Sequence, residues 1–440
     1  MAFQNQARYS NTGYQRQKSP GNSPGYDPHV QHAIQNHSGF KNGQAMDRSM
    51  NLMTTAVNSV RPFRETESHS RHHRGTSSFD NLRSDLLRRG ILFEDPEFLA
   101  QDASVYFSRS PPFRLDWKRP AEIASYHRQR PVFIHDNSSR FDAIQGELGD
   151  CWVVSAIACL SGPDHRELFR RVVPADQGFQ DGSYAGIFRF NFWHFGKWEE
   201  IIIDDRLPTE RGNLIFVQSH QRNEFWAALL EKAYAKLYGS YEALKSGNIG
   251  DALTDFCGGL TENYTLRGPQ ANVPRNIVNI LFKALDRQSL IGCGINSVKG
   301  HPGAESILPS GLVAGHAYSI TDLREILLMS DTGEIPITLV RVRNPWGNKV
   351  EWKGAWGDRM EFGDFLHNFD TLDICNLTPD SPIEMPKQWH TAEYHGRWVK
   401  GFSAGGRPTH RDSHWTNPQY KVTLSDSDED DDSICSLSFN

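Results

Sequence analysis

The chain of 440 residues contains no run approaching the roughly 18 consecutive apolar residues that a membrane span requires. Nor is its charge one-sided: 47 Lys and Arg face 53 Asp and Glu, for a formal net charge of -6. A membrane-spanning protein and one that holds nucleic acid through a strong positive field are therefore excluded as readings. Cysteine is sparse as well. The six cysteines, at 151, 159, 257, 293, 375 and 435, form no CxxC pair and no regular spacing. That pattern argues against a disulfide framework and against a zinc ribbon, and it makes reduced thiols the expectation. The first roughly 30 residues lack the apolar block of a secretory signal, so a soluble, cytoplasmic protein is expected.

Apolar residues are also too scattered over residues 1–80 to make a helical or strand period. This segment is rich in Gln, Asn, Ser, Gly and His, carries nine Lys or Arg against five Asp or Glu, and reads as a disordered tail. Its Ser68–Arg74 run, S-H-S-R-H-H-R, offers a metal or phosphate site as a lesser reading beside a solvated basic tail. All eleven tryptophans fall between Trp117 and Trp415, which places the folded mass there.

Helical patterns are expected over Asn81–Leu92, Cys151–Ser161, Glu224–Leu237 and Asn276–Leu285. A hairpin turning at His194–Lys197 is expected within Tyr184–Ile203, and later strands at Ile291–Ile295, His316–Thr321, Ile335–Val342, Tyr394–Lys400 and Tyr420–Leu424. Early helices and late strands predict an α+β pair of lobes, residues 81–246 and 247–378. The final segment, 379–440, reads as the opening of a further domain, with an exposed acidic loop at Ser425–Asp432 holding six carboxylates.

The most informative segment is Q-G-E-L-G-D-C-W, Gln145–Trp152, a glycine-bearing loop that delivers Cys151 to the first turn of an apolar helix. A helix N-terminus stabilises a thiolate, and such cysteines have pKa values lowered from about 8.5 into the range of about 3.5–7.5. Gln145 precedes the cysteine by six residues and can point its NH2, together with the Cys151 N–H, at an oxygen that becomes negative during acyl transfer. Taken alone, Cys151 is more readily read as an inert buried thiol, the usual fate of a lone cysteine on an apolar helix. A base is needed too, and His316 in G-H-A-Y-S has small neighbours at the start of a strand. R-N-P-W-G supplies Asn344 to accept from the imidazole and Trp346 to shield that bond from water. Singly, a core histidine and a turn asparagine explain these residues as well.

The order Cys, His, Asn, with gaps of 165 and 28 residues, resembles that of papain-like cysteine proteases. The segments Q-G-E-L-G-D-C-W, G-H-A-Y-S and R-N-P-W-G, with L-F-E-D-P-E-F-L-A (92–100), D-D-R-L-P (204–208) and E-F-W-A-A-L-L-E-K-A-Y-A-K (224–236), resemble the calpain family, calcium-dependent intracellular proteases, over about residues 80–440. The resemblance implies a papain-like two-lobe core, one helical and one β-rich, followed by the start of a C2-like β-sandwich. It implies Cys151 as nucleophile, His316 as general base, Asn344 as its orienter and Gln145 as oxyanion donor. A transglutaminase-like third member, Asp322, lies only six residues past His316, and Asn344 fits better.

The resemblance further implies protein substrates, an endogenous inhibitor of the calpastatin type, and Ca2+ bound in each lobe. The implied ligands are Asp142, Glu224, His135 and Asn137 in the first lobe and Glu351 and Asp358 in the second. Beyond Asp358 the family has a further stretch of roughly two dozen residues that this chain lacks near 358–360, and no EF-hand pattern follows the acidic loop. Membrane binding through the C2-like domain and EF-hand dimerisation are therefore not carried over, and a shortened form is expected. The alternative is a non-proteolytic isoform acting by partner binding or competition.

Overall fold

Apolar side chains at Phe225, Leu229, Leu230 and Ala233 recur at helical spacing and are buried on the helix Trp226–Tyr238 and its N-cap. That helix stops where Gly239 takes φ 98°, a left-handed conformation that costs glycine least. The computed structural model describes residues 79–112, 114–135, 143–298, 305–330, 333–348, 350–377 and 396–419. Almost all of the 1–80 tail, Asn137, Asp142, His301, the strand expected at Tyr420–Leu424 and the acidic loop lie outside the described residues.

The first region carries strand β1 (Asp116–Lys118), the antiparallel hairpin of β2 (Ile187–His194) and β3 (Lys197–Asp204), and the short strands β4 (Leu207–Glu210) and β5 (Asn213–Leu214). Phe188, Phe190 and Phe192 alternate onto one face of β2 and are fully buried. Burying each such side chain contributes about 1.5–3 kcal/mol. Phe195 and Gly196 both have positive φ (47° and 82°), the turn geometry that follows the twist of a two-residue hairpin. The helix Cys151–Leu160, buried at every residue except Cys159, runs through the same core as Trp226 and Tyr234. So does a helix that the sequence pattern concealed, Ile249–Cys257, whose Asn248 cap accepts from Gly250 N–H at 2.8 Å.

Charge is buried in this region, and it is paired. Lys232, on the face of its helix opposite the solvent, donates from Nζ to Asp204 Oδ1 (2.6 Å), Asp204 O (2.9 Å) and Arg206 O (2.6 Å). One turn on, Lys236 Nζ donates to Asp95 Oδ2 and to Ile202 O, both at 2.8 Å. Asp205 bonds Arg119 and accepts from Tyr184 Oη at 2.5 Å. Burial pushes the Asp204 carboxyl up, but Lys232 and Arg206 outweigh it and hold the group at about 2. Three of the quoted sequence segments, around 92–100, 204–208 and 224–236, thus meet in one ionic knot that ties a loop, a strand end and a helix together.

The second region is a six-stranded antiparallel sheet in the order β12-β11-β10-β7-β13-β6. In chain order its parts are β6 (Leu260–Thr265), β7 (Leu290–Ile295), a separate small ladder of β8 (Ser306–Ile307) and β9 (Val313–Ala314), then β10 (His316–Ser330), β11 (Gly333–Arg343), β12 (Met360–Glu361) and β13 (Thr371–Asn376). The helices Ile277–Asp286 and Phe362–Asn368 supply Leu281 and Phe365 to a core that also holds Cys293, Tyr318, Val340 and Leu372. The architecture is mixed helix and sheet, with a helix-rich core and a β-rich core.

Two expectations change. Strands β10 and β11 run well past Thr321 and begin before Ile335, because the two pair with each other over nearly their full length once β10 has left β7. Residues 396–400 do not form the expected strand. The Val399 carbonyl accepts from the N–H groups of Phe402, Ser403 and Ala404, and Ser403 Oγ donates to Arg397 O, so the chain turns there instead.

Candidate active site

The loop Gln145–Asp150 is shaped by close backbone approach. Glu147 N–H donates to Ile215 O at 2.9 Å, and a Cβ at Gly146 would lie 2.3 Å from that same oxygen, so only glycine fits there. Gly149 takes φ 80°, turning the chain into the helix that begins at Cys151. The Gln145 N–H donates to Pro345 O at 3.1 Å, which joins this loop to the segment carrying Asn344. Ser155, one turn into the helix, donates from Oγ to Ala317 O at 3.0 Å. The helix bearing Cys151 is thereby seated on the start of the strand bearing His316.

Asn344 Oδ1 lies 2.8 Å from His316 Nε2. The orientation of that amide is fixed by its other bonds: Nδ2 donates to Val350 O at 3.1 Å and Oδ1 accepts from Trp346 N–H at 3.0 Å. The Trp346 ring lies 5.1 Å from the imidazole at 56°, and Tyr318 meets it edge-on at 5.0 Å. At the other nitrogen, Nδ1, the partner is Glu305 Oε1 at 2.8 Å. Both ring nitrogens thus have an oxygen partner. Cys151 Sγ, a ring nitrogen of His316 and a carboxylate oxygen of Glu305 all lie within 4.8 Å of one another.

Glu305 is the residue that sequence reasoning missed. It stands eleven positions before His316, at the foot of the β8–β9 ladder, and it also receives the Gln145 Nε2–H2 group at 3.4 Å. Its carboxylate thus sits beside the amide expected to stabilise a developing oxyanion. Burial pushes the Glu305 carboxyl up, but the hydrogen bond and charge of His316, with bonds from Gln145 and Trp346, prevail and hold it below the usual range.

The expectation of a low thiol pKa is corrected in this arrangement. Burial first, then the negative charges of Glu305 and Asp150, push the Cys151 thiol up to about 12 despite backbone hydrogen bonds from Ala317 on β10 and Trp152 at the helix start. Asp150 itself is buried, its carboxyl raised to about 6 by burial, and Glu231 is raised well above its ordinary value by burial and by Asp150. The two acids face one another at the N-terminus of the cysteine's helix.

The residues expected to hold calcium are arranged differently. Glu224 is buried, with Oε1 accepting from His135 N–H (2.7 Å) and Oε2 from Ser219 Oγ (2.6 Å). Its expected companions, Asn137 and Asp142, are outside the described residues. In the second region Asp358 pairs with Arg341 at 2.9 Å, while Glu351 is exposed. The Asp358 side chain is 60% exposed and uses one oxygen, Oδ2, in that pair. Among the described residues, the group of His, Cys and carboxylate ligands that converges is Cys151, Glu305 and His316. No helix among them is long and apolar enough to cross a membrane.

Comparison with known proteins agrees with this geometry. Residues 93–361 match the model of the calpain family cysteine protease, and residues 394–438 match that of the calpain large subunit, domain III. The chain is 42% identical to Calpain-A of Drosophila melanogaster over 416 residues, covering 88% of this chain and 48% of the relative. It is 44% identical to Calpain clp-1 of Caenorhabditis elegans over 398 residues, 82% of this chain and 49% of the relative. With Calpain-9 of Homo sapiens the identity is 42% over 384 residues, 81% and 53% of the two chains. The chain spans about half the length of the curated relatives it matches.

Proposed function

The chain belongs to the calpain family of cysteine proteases, and from that premise we propose that it is a cysteine endopeptidase making limited cuts in protein substrates by acyl transfer at Cys151. The observation that supports this most is His316, bonded through Nε2 to an amide oxygen whose orientation is fixed and standing with its imidazole beside the Cys151 thiol.

The resting arrangement defines the first event. Glu305 leaves Nδ1 of His316 and the Gln145 amide, and the thiol loses a negative neighbour. The thiol proton then passes to the imidazole, giving a thiolate–imidazolium pair at the helix start, where backbone N–H groups favour the anion. The sulfur attacks the peptide carbonyl carbon, and the oxygen that becomes negative is received by the Gln145 NH2 and the Cys151 N–H. His316 gives its proton to the leaving amine as the C–N bond breaks. A water deprotonated by His316 then attacks the thioester, releasing the acid and restoring the thiol. Asn344 keeps the ring aimed, and Trp346 keeps water off the His–Asn bond.

Regulation by Ca2+, inhibition by a protein of the calpastatin type and a cytoplasmic location follow from family membership as parts of this proposal, and no step of the mechanism passes through calcium. The second reading, a non-proteolytic family member acting by partner binding or competition, is favoured by one observation: Glu305 occupies the reaction centre and the thiol is held protonated. Incubating the purified chain with casein, with and without millimolar-order Ca2+, alongside Cys151→Ala, decides between them. The endopeptidase reading expects cleavage that Cys151→Ala abolishes. Absence of any Cys151-dependent cleavage in either condition sinks it and leaves the binding role.

A further inference from the structure

Cys151, His316 and Glu305 present sulfur, nitrogen and oxygen to one point, with all three ligand atoms within 4.8 Å of each other and two of them 2.8 Å apart. We propose that these three side chains form a site for a zinc-class divalent cation, and that the ion, once bound, holds the centre shut. The inhibition rests on the endopeptidase reading; the coordination does not.

The donor set selects the ion. Thiolate and imidazole are ligands for zinc, and a single carboxylate completes the three-ligand, open-position pattern that zinc accepts. Calcium and magnesium require six or more oxygens and find one here. Zinc–ligand lengths of about 2.0–2.3 Å in a tetrahedron put ligands about 3.3–3.7 Å apart. The Nδ1–Oε1 pair therefore opens by roughly half an ångström while the sulfur closes on both. The mobile partner is a rotamer-rich glutamate beside the two-residue strand β8, whereas Cys151 and His316 are anchored on a buried helix and a central strand. The fourth position falls to water. Gln145, nearly buried, has an amide oxygen without a hydrogen-bond partner beside it and can accept from that water.

Charge balances without a new counter-ion. The trio takes the ion with its sulfur deprotonated and its coordinating imidazole nitrogen unprotonated. With the ion it holds a thiolate, a neutral imidazole and a carboxylate around a double positive charge. The thiol proton leaves when the ion binds, and the two anionic ligands balance the ion's double positive charge. Binding therefore tightens as pH rises and releases a proton to solvent.

The test uses Co2+ as a coloured stand-in, added to the full chain under reducing conditions with a non-chelating reductant and read by its thiolate-to-cobalt charge-transfer band in the near ultraviolet. The expected result is a band that saturates at one ion per chain, disappears in Cys151→Ser, and requires about tenfold to 100-fold more Co2+ in Glu305→Gln. Zn2+ added afterwards displaces the colour. A band that survives Cys151→Ser, or an unchanged Co2+ affinity in Glu305→Gln with the fold confirmed by circular dichroism, overturns the proposal. The tail contains no cysteine, so ions held by its histidines give no such band. A Cys151-dependent band in a chain that cleaves nothing would defeat the endopeptidase reading and leave this site standing; cleavage without a band would do the reverse.

Discussion

Lys232 and Glu305 are both charges brought within 3 Å of a hydrogen-bonding partner, yet their surroundings differ in the respects that govern movement. Lys232 sits mid-helix, fully buried, with three oxygens from two residues, Asp204 and Arg206, on its ammonium group. Nothing can leave that knot without stranding a charge in the core. Glu305 is partly exposed, at the start of a two-residue strand, and its partners are the same groups a substrate carbonyl would use. The contrast separates a scaffold that must not move from a plug that must. It also explains why the quoted sequence segments outside the Cys, His and Asn motifs carry so many charged residues: they build the knot that ties Asp95, residues 204–206 and the helix of Lys232 and Lys236 together.

The largest effect that can break this comparison is at the knot. Lys232→Ala leaves Asp204 buried without its ammonium and is expected to destabilise the fold by about 3–5 kcal/mol, read by chemical denaturation. Glu305→Ala is expected to cost under about 1 kcal/mol by the same measurement. Equal costs would erase the distinction.

Next is Asn344→Ala, which frees the imidazole to rotate and removes the acceptor for Nε2. A fall in kcat/KM of about one to three orders of magnitude is expected, with stability nearly kept. An unchanged pH–rate profile and rate would remove Asn344 from the machinery.

The smallest effects sharpen the contrast through pH. The Asp204 carboxyl, held at about 2 against an ordinary 3.8, contributes stability that is present above pH 4 and is lost as pH falls from about 4 to 2. Asp150 has the opposite sign. Its carboxyl is raised to about 6, so the folded state keeps a proton that the unfolded chain releases, and stability falls as pH rises from about 4 to 6. In Asp150→Asn that slope over pH 4–6 should flatten, as thermal melts across the range would show, while the loss below pH 4 remains.

Much of this was legible beforehand. The 3.6-residue period at 225–237 and the alternation of phenylalanines at 188–192 specify their elements because each buries one continuous face. Cys151, His316, Asn344 and Gln145 were identifiable as a set because the order Cys, His, Asn and the segments around them resemble the calpain family, while each alone was weak, and the structure brings all four together. Glu305 was not, since a lone glutamate among small residues has no local signature. Its role depends on a fold that returns residue 305 to residue 316 across β8 and β9. Burial of Glu231 and Lys232 was hidden for a related reason: helical spacing shows which face is apolar, but only the knot shows that the charged positions are inside too. The lowered thiol pKa failed as an expectation because the helix N-terminus competes with burial and with two nearby carboxylates, and here they prevail.

The central claim, a complete acyl-transfer centre held at rest by Glu305, is tested most directly by following cleavage of a protein substrate by the unmodified chain, Glu305→Ala and Cys151→Ala side by side. The account predicts that Glu305→Ala cleaves about tenfold faster than the unmodified chain, roughly the worth of one charge-assisted hydrogen bond, and that Cys151→Ala cleaves nothing. Cleavage by Glu305→Ala no faster than by the unmodified chain, or cleavage that persists in Cys151→Ala, would contradict it.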